Sequence, residues 1–314
     1  MQLKRLLFPI IVLVLLLAGM VGCGTSAVRP IDLVPQNANF IADVQLGKII
    51  NDQEFRSAYA AEKKSPQEPQ TVDAALDKVV QETGVDLRNI SRGVVFGDVN
   101  NLGRNYYLGV IIEGTFNQAT FISNFETKTK EKFTISDYKG YKLYTSQDGQ
   151  SNLAFLSDGM LLFGSTKAVK DIIDVSKGDS ARVSGQVLNM YNQMDGTLFR
   201  AAFIVPESGR KELSQAPVSG VPFSFKPFAD TDLIGFAMSK DAQLATLQVN
   251  LHFISSTSAG DARDTLSGAF TSLKGMSLSS DVKDLLGKIV VTTSGSTLTL
   301  TLKATLSQIE KVRQ

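Results

Sequence analysis

Ser280 and Lys283 form the first pattern in this sequence that is capable of chemistry. Their S-x-x-K spacing places a lysine one helical turn from a serine, where it can tune proton transfer to a serine nucleophile. The companion motifs of that chemistry, S-D-N and K-T-G, do not occur in the chain. A serine here also suits the N-cap of a helix, with Asp281 in the first turn. We favour the capping role and keep a serine hydrolase that uses Ser280 and Lys283 as a remote alternative.

His252 is the one histidine of the chain, and histidine is the commonest general base in enzymes. Its segment, LQVNLHF, alternates apolar and polar residues, which predicts a strand with His252 on the polar face beside Gln248 and Asn250. No acidic partner lies nearby in sequence, and a Ser-His-Asp triad requires one. We therefore interpret His252 as a residue of a sheet face.

Metal and nucleotide sites have no complete motif in the sequence. Asp230 and Asp232, and Asp98 with Asn100, have the spacing of oxygen ligands, but neither segment completes a calcium loop. Turn formation accounts for Asp and Asn at both places. The chain contains no G-x-x-x-x-G-K-[ST] phosphate loop and no G-x-G-x-x-G turn after a strand. We predict no metal, no cofactor and no enzyme activity.

The segment APVSGVPFSFKPFAD is the strongest candidate for a binding element. Phe223, Phe225 and Phe228 alternate there with prolines, which cannot extend a sheet and favour a stiff, irregular connection. One interpretation is a loop that presents aromatic side chains to a partner, a ligand or an acyl surface. The other, which we favour, is a connection folded over the core between two halves of the protein.

Composition limits the class of protein. The chain has 314 residues, of which 43% are hydrophobic and 20% charged, so it can bury a sizeable core. Its formal net charge of +1 gives no electrostatic reason to expect a nucleic-acid partner. The single cysteine rules out an internal disulfide framework.

Residues 1–22 are typical of a secretory signal peptide. Lys4 and Arg5 form a positive n-region, and an apolar run follows over residues 6–18. That run is shorter than the ~20 residues of a membrane-spanning helix. An uncleaved N-terminal anchor helix is the alternative interpretation.

The only cysteine, Cys23, directly follows the signal segment and the small residue Gly22. This resembles the lipobox of bacterial lipoproteins, although Met20 and Val21 depart from its commonest residues. The resemblance implies that Cys23 is lipidated with acyl chains such as palmitate and that residues 1–22 are removed. Two or three acyl chains, at ~0.8 kcal/mol per buried CH₂, anchor a protein stably. It implies an extracytoplasmic protein held by lipid at the cell membrane or the outer membrane.

The elements that would position these residues indicate an α+β fold. Hairpins alternate with amphipathic helices in both halves, which predicts antiparallel sheets with helices packed on one face. Both halves follow a β-β-α-β-β-α order, typical of two related modules, although ordinary α+β alternation gives the same order. We predict a lipidated tether over residues 23–35, one module over 36–178 and a second over 179–314.

Four segments resemble an uncharacterised family of exported or membrane-attached bacterial proteins with a domain of unknown function. They are VPQNANFIADVQLGKIINDQEF, GTFNQATFISNF, YKGYKLY and FLSDGMLLFGSTKAVKDIIDVSKG, within residues 34–178. The resemblance implies an α+β fold with antiparallel sheets. It assigns no activity and no catalytic residue.

The sequence therefore predicts a lipid-anchored cell-envelope protein that acts as a non-enzymatic binding or interaction module. The alternative is a carrier or sensor of a hydrophobic ligand. A carrier requires an apolar cavity of the size of small-molecule sites. An interaction module requires an exposed apolar patch larger than monomers usually carry.

Overall fold

A computed structural model describes residues 28–62, 65, 67–100, 106–130, 132–215 and 226–313. The signal segment, Cys23, Phe223 and Phe225 lie outside these residues. The chain divides into two compact units. Of the described residues, unit 1 comprises those within 28–38 and 43–183, and unit 2 comprises those within 39–42 and 184–313. The predicted α+β class with antiparallel pairing is confirmed.

Unit 1 contains a sheet with the strand order β1-β2-β3-β7-β6-β5-β4, and its pairs from β2 onward are antiparallel. Its strands are β1 (Phe40–Val44, divided between the two units), β2 (Ile90–Gly97), β3 (Leu108–Gly114), β4 (Thr134–Tyr138), β5 (Tyr141–Thr145), β6 (Ser151–Ser157) and β7 (Met160–Ser165). Its helices are α1 (Leu46–Asn51), α2 (Gln53–Ala61), α3 (Val72–Thr83), α4 (Gln118–Thr129) and α5 (Thr166–Lys177).

The helices of unit 1 begin and end at the residues that capping chemistry favours. The side chains of Asn117 and Ser165 accept backbone N–H groups at the starts of α4 and α5. Gly178 ends α5 with φ of 78°, a left-handed conformation that glycine adopts without steric cost. Phe116, just before the cap, packs edge-on against Phe121 in the first turns of α4, as a hydrophobic staple does.

Residues 23–35 are predicted to form a tether, but the second half of this segment is part of the folded protein. Pro30–Leu33 form a short 3-10 helix, and Ile31, Leu33 and Val34 are buried. The backbone carbonyl of Val34 accepts the N–H of Val183 at 2.7 Å. The two prolines in this segment predicted a spacer. The apolar side chains between them are buried, and the free energy gained by this burial outweighs the conformational entropy that a flexible tether would keep.

Unit 2 contains a sheet with the strand order β8-β9-β10-β12-β11, and these pairs are antiparallel. Its strands are β8 (Phe199–Ile204), β9 (Thr231–Asp241), β10 (Leu244–Phe253), β11 (Ile289–Ser294) and β12 (Thr297–Thr305). Its helices are α6 (Gln186–Gln193), α7 (Glu207–Gln215), α8 (Ser256–Gly275), α9 (Ser280–Lys288) and α10 (Leu306–Arg313).

The strand order of unit 2 repeats that of unit 1. The order β8-β9-β10-β12-β11 corresponds to β1-β2-β3-β7-β6, and unit 1 adds the hairpin β4–β5 at the far edge. In each unit a helix follows the third strand and another follows the last: α4 and α5 in unit 1, and α8 and α10 in unit 2. The β-β-α-β-β-α order predicted for each half is therefore contained in each unit.

The helices of unit 1 contact both faces of its sheet, where the sequence analysis expected one. Phe155 of β6 packs against Phe121 of α4. Successive side chains of a strand point to opposite faces, so the fully buried Ala154 lies on the other face. There α5, with Ile172 and Ile173 fully buried, packs against β3, β6 and β7. Among the described residues, none of the helices combines the length and the apolar run that crossing a membrane requires.

Candidate functional site

Unit 1 contains a cavity of about 410 Å³ between α4, β7 and the turn that joins β5 to β6. We call it the aromatic cavity. Three phenylalanine side chains line one side of it and a group of polar side chains lines the other. The lining residues are Phe125, Phe133, Ser146, Gln147, Asp148, Ser151, Asn152 and Phe163.

The phenylalanine side of the cavity continues into the core of unit 1. The rings of Phe125 and Phe133 stack with centroids 5.3 Å apart and planes inclined by 27°. Phe133 then meets the edge of Tyr144 at 6.0 Å, and Tyr144 meets Phe155 at 6.4 Å. Stacked and edge-on aromatic pairs of this kind stabilise each other beyond their buried area. The cavity wall is therefore held by the hydrophobic core.

The polar side of the cavity carries a negative charge. The Ser146 hydroxyl donates to Asp148 at 2.6 Å, and the backbone N–H of Gln150 donates to the same oxygen at 3.0 Å. These two hydrogen bonds favour the ionised form and lower the pKa of the Asp148 carboxyl below its ordinary value. Asp148 is exposed, so it remains available to a ligand at the cavity mouth.

Asn152 has a structural role at the edge of this cavity. It is buried, donates to the hydroxyl of Thr166 at 2.6 Å and accepts from the hydroxyl of Thr145 at 2.7 Å. Its amide therefore ties β6 to β5 and to the start of α5. The Ser146 and Ser151 hydroxyls are engaged by Asp148 and Tyr106, so the groups that face a ligand are the three rings, the Asp148 carboxylate and the Gln147 side chain. The aromatic part of that set is suited to contact with an apolar molecule.

Unit 2 contains a second cavity, of about 300 Å³, which we call the polar cavity. It lies between α6 and strands β9, β10 and β12. Its lining residues are Gln186, Asn189, Met190, Gln193, Leu233, His252 and Thr297. His252, the histidine that the sequence analysis placed on a sheet face, faces this cavity.

His252 has the acidic partner that its sequence neighbourhood did not indicate. Its Nδ1 lies 2.6 Å from Oδ1 of Asp232, a residue of the adjacent strand β9. The two residues are 20 positions apart, so only the pairing of β9 with β10 brings them together. The alternation of apolar and polar residues in β9 and β10 indicates two strands, but it does not determine which residues of the two strands pair.

Phe228 lies in the core of unit 2. Its side chain is 8% exposed and packs against Phe253, with ring centroids 6.4 Å apart, in a cluster that includes Ala259 and Leu298. This placement supports the interpretation of the segment as a connection folded over the core, rather than as a loop that presents Phe228 to a partner. Phe223 and Phe225 lie outside the described residues and remain sequence-based candidates.

Ser280 and Lys283 lie in the first turn of α9, where Ser280 is exposed. The cap is Ser279, whose hydroxyl accepts the backbone N–H of Val282 at 3.3 Å. Neither Ser280 nor Lys283 lines the aromatic cavity or the polar cavity. For this motif the described residues show local helix capping by Ser279.

The paired carboxylates of the sequence have protein partners. Asp230 accepts the Ser258 hydroxyl at 2.6 Å, and Asp232 is engaged by His252. Asp98 accepts the backbone N–H of Asn100, as in an Asx turn. Within the described ranges, no three His, Cys, Asp or Glu side chains are grouped so as to hold a metal ion.

Comparisons with known proteins give a likeness in fold only. No family model matches the chain, and no curated protein matches it. Among solved structures, crystal form III of TP0453 has a TM-score of 0.48 at 11% identity, covering 92% of this chain and 99% of that chain. Crystal forms IV and I of TP0453 have TM-scores of 0.48 and 0.45, each at 11% identity and covering 92% of this chain and 97% of that chain. These likenesses concern the course of the chain and carry no functional conclusion.

Proposed function

We propose that this chain is a non-enzymatic binding module of the bacterial cell envelope and that it holds a small apolar ligand in the aromatic cavity. The observation that supports this proposal is the cavity itself, about 410 Å³ with three phenylalanine rings in its wall. Small-molecule sites have volumes of roughly 300–1,000 Å³ and are lined mainly by apolar and aromatic side chains. Of the two binding functions expected from the sequence, the carrier or sensor fits this geometry.

The lining also indicates the chemistry of the ligand head group. Asp148 is a fixed carboxylate, and the described lining contains no Lys, Arg or His side chain to balance it. The faces of Phe125, Phe133 and Phe163 carry the negative side of the aromatic quadrupole, which attracts cations. We therefore infer a ligand with an apolar body and a cationic or hydrogen-donating head.

An interaction module for a protein partner has weaker support. The exposed large apolar side chains belong to separate elements, including Ile135 on β4, Phe236 on β9 and Val290 on β11. Exposed apolar residues that are scattered singly are normal for a monomer. The aromatic cavity is the more specific feature.

The ligand proposal is tested with the fluorescent apolar probe N-phenyl-1-naphthylamine and the purified full chain. We expect probe fluorescence to rise on binding. Dodecyltrimethylammonium below its micellar concentration should displace the probe better than dodecyl sulfate does. Phe133→Ala should weaken probe binding at least tenfold, because it removes a wall of the cavity. The control is Phe55→Ala, which truncates another half-buried phenylalanine of unit 1 outside the cavity. Equal probe affinity in both variants would overturn the proposal.

A second pair of variants tests the head-group preference without removing packing. Gln147 and Gln150 are both exposed in the turn between β5 and β6, but only Gln147 lines the cavity. We expect Gln147→Lys to weaken displacement of the probe by the cationic amphiphile, because the positive charge of the lysine offsets the negative charge of Asp148 that attracts the cationic head group. Gln150→Lys should leave that displacement close to the unsubstituted chain. A preference for dodecyl sulfate in the unsubstituted chain would contradict the cationic head group.

The location at the envelope rests on Cys23 and the signal segment before it. We expect Cys23→Ser to move the protein from the membrane fraction to the soluble fraction, because the chain then has no thiol to acylate. Metabolic labelling with palmitate should mark the unsubstituted chain and not the variant. Undiminished membrane association of Cys23→Ser would contradict lipid anchoring and would leave the ligand proposal standing.

A further inference from the structure

A β-bulge in unit 2 orients the histidine of the polar cavity. His252 pairs with Leu233 and Phe253 pairs with Thr231, so Asp232 is an extra residue on β9. Bulges redirect side chains and are common beside functional sites. Here the bulge brings the Asp232 carboxylate to Nδ1 of His252 at 2.6 Å. Because Nδ1 is occupied, Nε2 is the ring atom left for a ligand in the cavity that His252 lines.

Helix α6 contributes three primary amides to the same cavity. Gln186, Asn189 and Gln193 are spaced i, i+3 and i+7, so they share one face of the helix, and all three are exposed. Val187 and Tyr191 on α6 are buried and hold the helix to the unit. Each amide offers a donor and an acceptor side by side. The helix thus presents a row of paired hydrogen-bonding groups on a fixed support.

The sheet continues this row beyond the cavity. Alternation along β12 places its threonines on the face opposite to Leu298 and Leu300, which pack in the core with α8. The partner residues on β10 are polar as well. The cross-strand pairs are Thr297 with His252, Thr299 with Asn250, and Thr301 with Gln248. Half-buried threonine hydroxyls therefore extend from the cavity along β12, and we call them, with their partners on β10, the threonine row. On β10, Asn250 is buried and accepts the side-chain amide of Gln248 at 3.0 Å.

We propose that the polar cavity binds a neutral glycan, with one sugar in the cavity and the following sugars along the threonine row. The described lining residues include no Lys, Arg, Asp or Glu, and the nearby Asp232 carboxylate is engaged by His252. A phosphate or carboxylate ligand would therefore meet no lysine or arginine. Adjacent hydroxyls of a sugar match the donor and acceptor pairs of the amides, and Met190 and Leu233 offer apolar contact to the sugar ring.

The test is a titration of the full chain, labelled with ¹⁵N, followed by the side-chain amide and histidine ring resonances. The probes are maltose, cellobiose and N,N′-diacetylchitobiose, with inorganic phosphate as the anionic comparison. At least one disaccharide should shift the side-chain amides of Gln186, Asn189 and Gln193 and the ring of His252. The trisaccharide of the same series should bind more tightly, because the threonine row adds hydrogen bonds. No shift with any of the three at concentrations on the order of 10 mM, or an equal shift with phosphate, would overturn the proposal.

A matched pair of variants on α6 separates recognition from folding. Asn189 and Asn192 are both exposed on this helix, and only Asn189 lines the cavity. Asn189→Ala should raise the dissociation constant of the disaccharide about tenfold, through the loss of its paired hydrogen bonds. Asn192→Ala should leave it unchanged. Equal effects of the two substitutions would show that the saccharide binds elsewhere and would overturn the proposal.

Discussion

The two units share a strand order but differ in the side chains that equivalent strands present on one face. In unit 1, Ile111, Ala154 and Leu162 of β3, β6 and β7 are fully buried on the face that α5 covers. In unit 2, the corresponding strands β10 and β12 carry the threonine row, whose Thr299 and Thr301 are only half-buried. The comparison teaches that strand order fixes the path of the chain, while the polarity of alternate residues fixes which face is covered.

The two cavities consequently lie on different faces of equivalent sheets. The helices α4 and α8 both follow the third strand of their unit. The aromatic cavity lies on the α4 face, where Phe125 and Phe163 meet. The polar cavity lies on the face opposite to α8, where His252 and Thr297 point. The repeated order thus carries two cavities with different linings, one of aromatic rings with a carboxylate and one of amides with a histidine.

The largest expected effect is on the free energy of unfolding. It comes from placing a polar residue on the α5 face of unit 1, for comparison with an apolar residue on the threonine row of unit 2. Leu162→Thr should lower the free energy of unfolding by about 4 kcal/mol, because it creates a cavity under α5 and buries a hydroxyl. Thr299→Leu should change it by less than about 0.5 kcal/mol, because Thr299 is half-buried on the threonine row. Urea denaturation, with hydrogen exchange to assign the loss to a unit, measures both values.

Leu162→Ile is the control for this exchange. It conserves volume and should lower the free energy of unfolding by less than about 1.5 kcal/mol. A larger decrease in Leu162→Thr is therefore due to the buried hydroxyl and to the side-chain atoms that are removed. A loss in Thr299→Leu comparable with that of Leu162→Thr would show that the threonine row is packed as tightly as the α5 face. The contrast between the units would then fail.

A second contrast lies between the first two strands of each unit. In unit 1, Arg92 of β2 donates two hydrogen bonds to Asp43 of β1, at 2.8 and 2.7 Å, and Asp43 is 2% exposed. In unit 2, the corresponding strands β8 and β9 carry the stacked rings of Phe203 and Phe236. Unit 1 uses an ion pair where unit 2 uses aromatic contact, and the ion pair is the more sensitive to loss of one partner.

Arg92→Leu should therefore destabilise the protein by about 3 kcal/mol, since it leaves the Asp43 carboxylate buried without its main partner. The control is Arg263→Leu, which removes an exposed pair with Asp264 and should cost less than about 1 kcal/mol. Urea denaturation measures both. Replacing Asp43 and Arg92 together by leucine should recover much of the loss, and failure to recover it would contradict the argument from buried charge.

The sequence was most informative where local chemistry decides structure. Asn117 and Gly178 mark the boundaries of α4 and α5 because capping acts within one turn. The alternation in LQVNLHF predicted a strand, and this segment forms the second part of β10. Val187, with apolar residues at i+3, i+4 and i+7, has the spacing typical of a helix, and it lies in α6.

The candidate sites were less predictable because they depend on contacts between distant segments. The sequence pointed to Phe223, Phe225 and Phe228, whereas the aromatic cavity takes its rings from a helix, a connection and a strand elsewhere in the chain. His252 gains its partner through a bulge, and a one-residue shift in pairing is not encoded in alternation alone. Composition shows how many aromatic residues a chain has, but tertiary packing decides which of them border a cavity.

The smallest expected effect is a change in the pKa of Asp148, the carboxylate that lines the aromatic cavity. The Ser146 hydroxyl and the Gln150 N–H lower the pKa of Asp148, so its carboxylate stays ionised further into acid than an ordinary aspartate. This stabilisation is present above the ordinary pKa and is lost as the pH falls through the lowered value. Ser146→Ala should raise the pKa of Asp148 toward its ordinary value, as measured by ¹³C NMR of the carboxyl group.

Ser157→Ala is the matched control, because Ser157 accepts a backbone N–H in the next turn and does not contact Asp148. It should leave the Asp148 titration unchanged. In Ser146→Ala, displacement of the apolar probe by dodecyltrimethylammonium should weaken at a higher pH than in the unsubstituted chain. Saccharide binding in the polar cavity should not change, because the carboxylate near that cavity, Asp232, is held by His252 rather than by this turn. A shift in both binding activities would contradict two chemically independent sites.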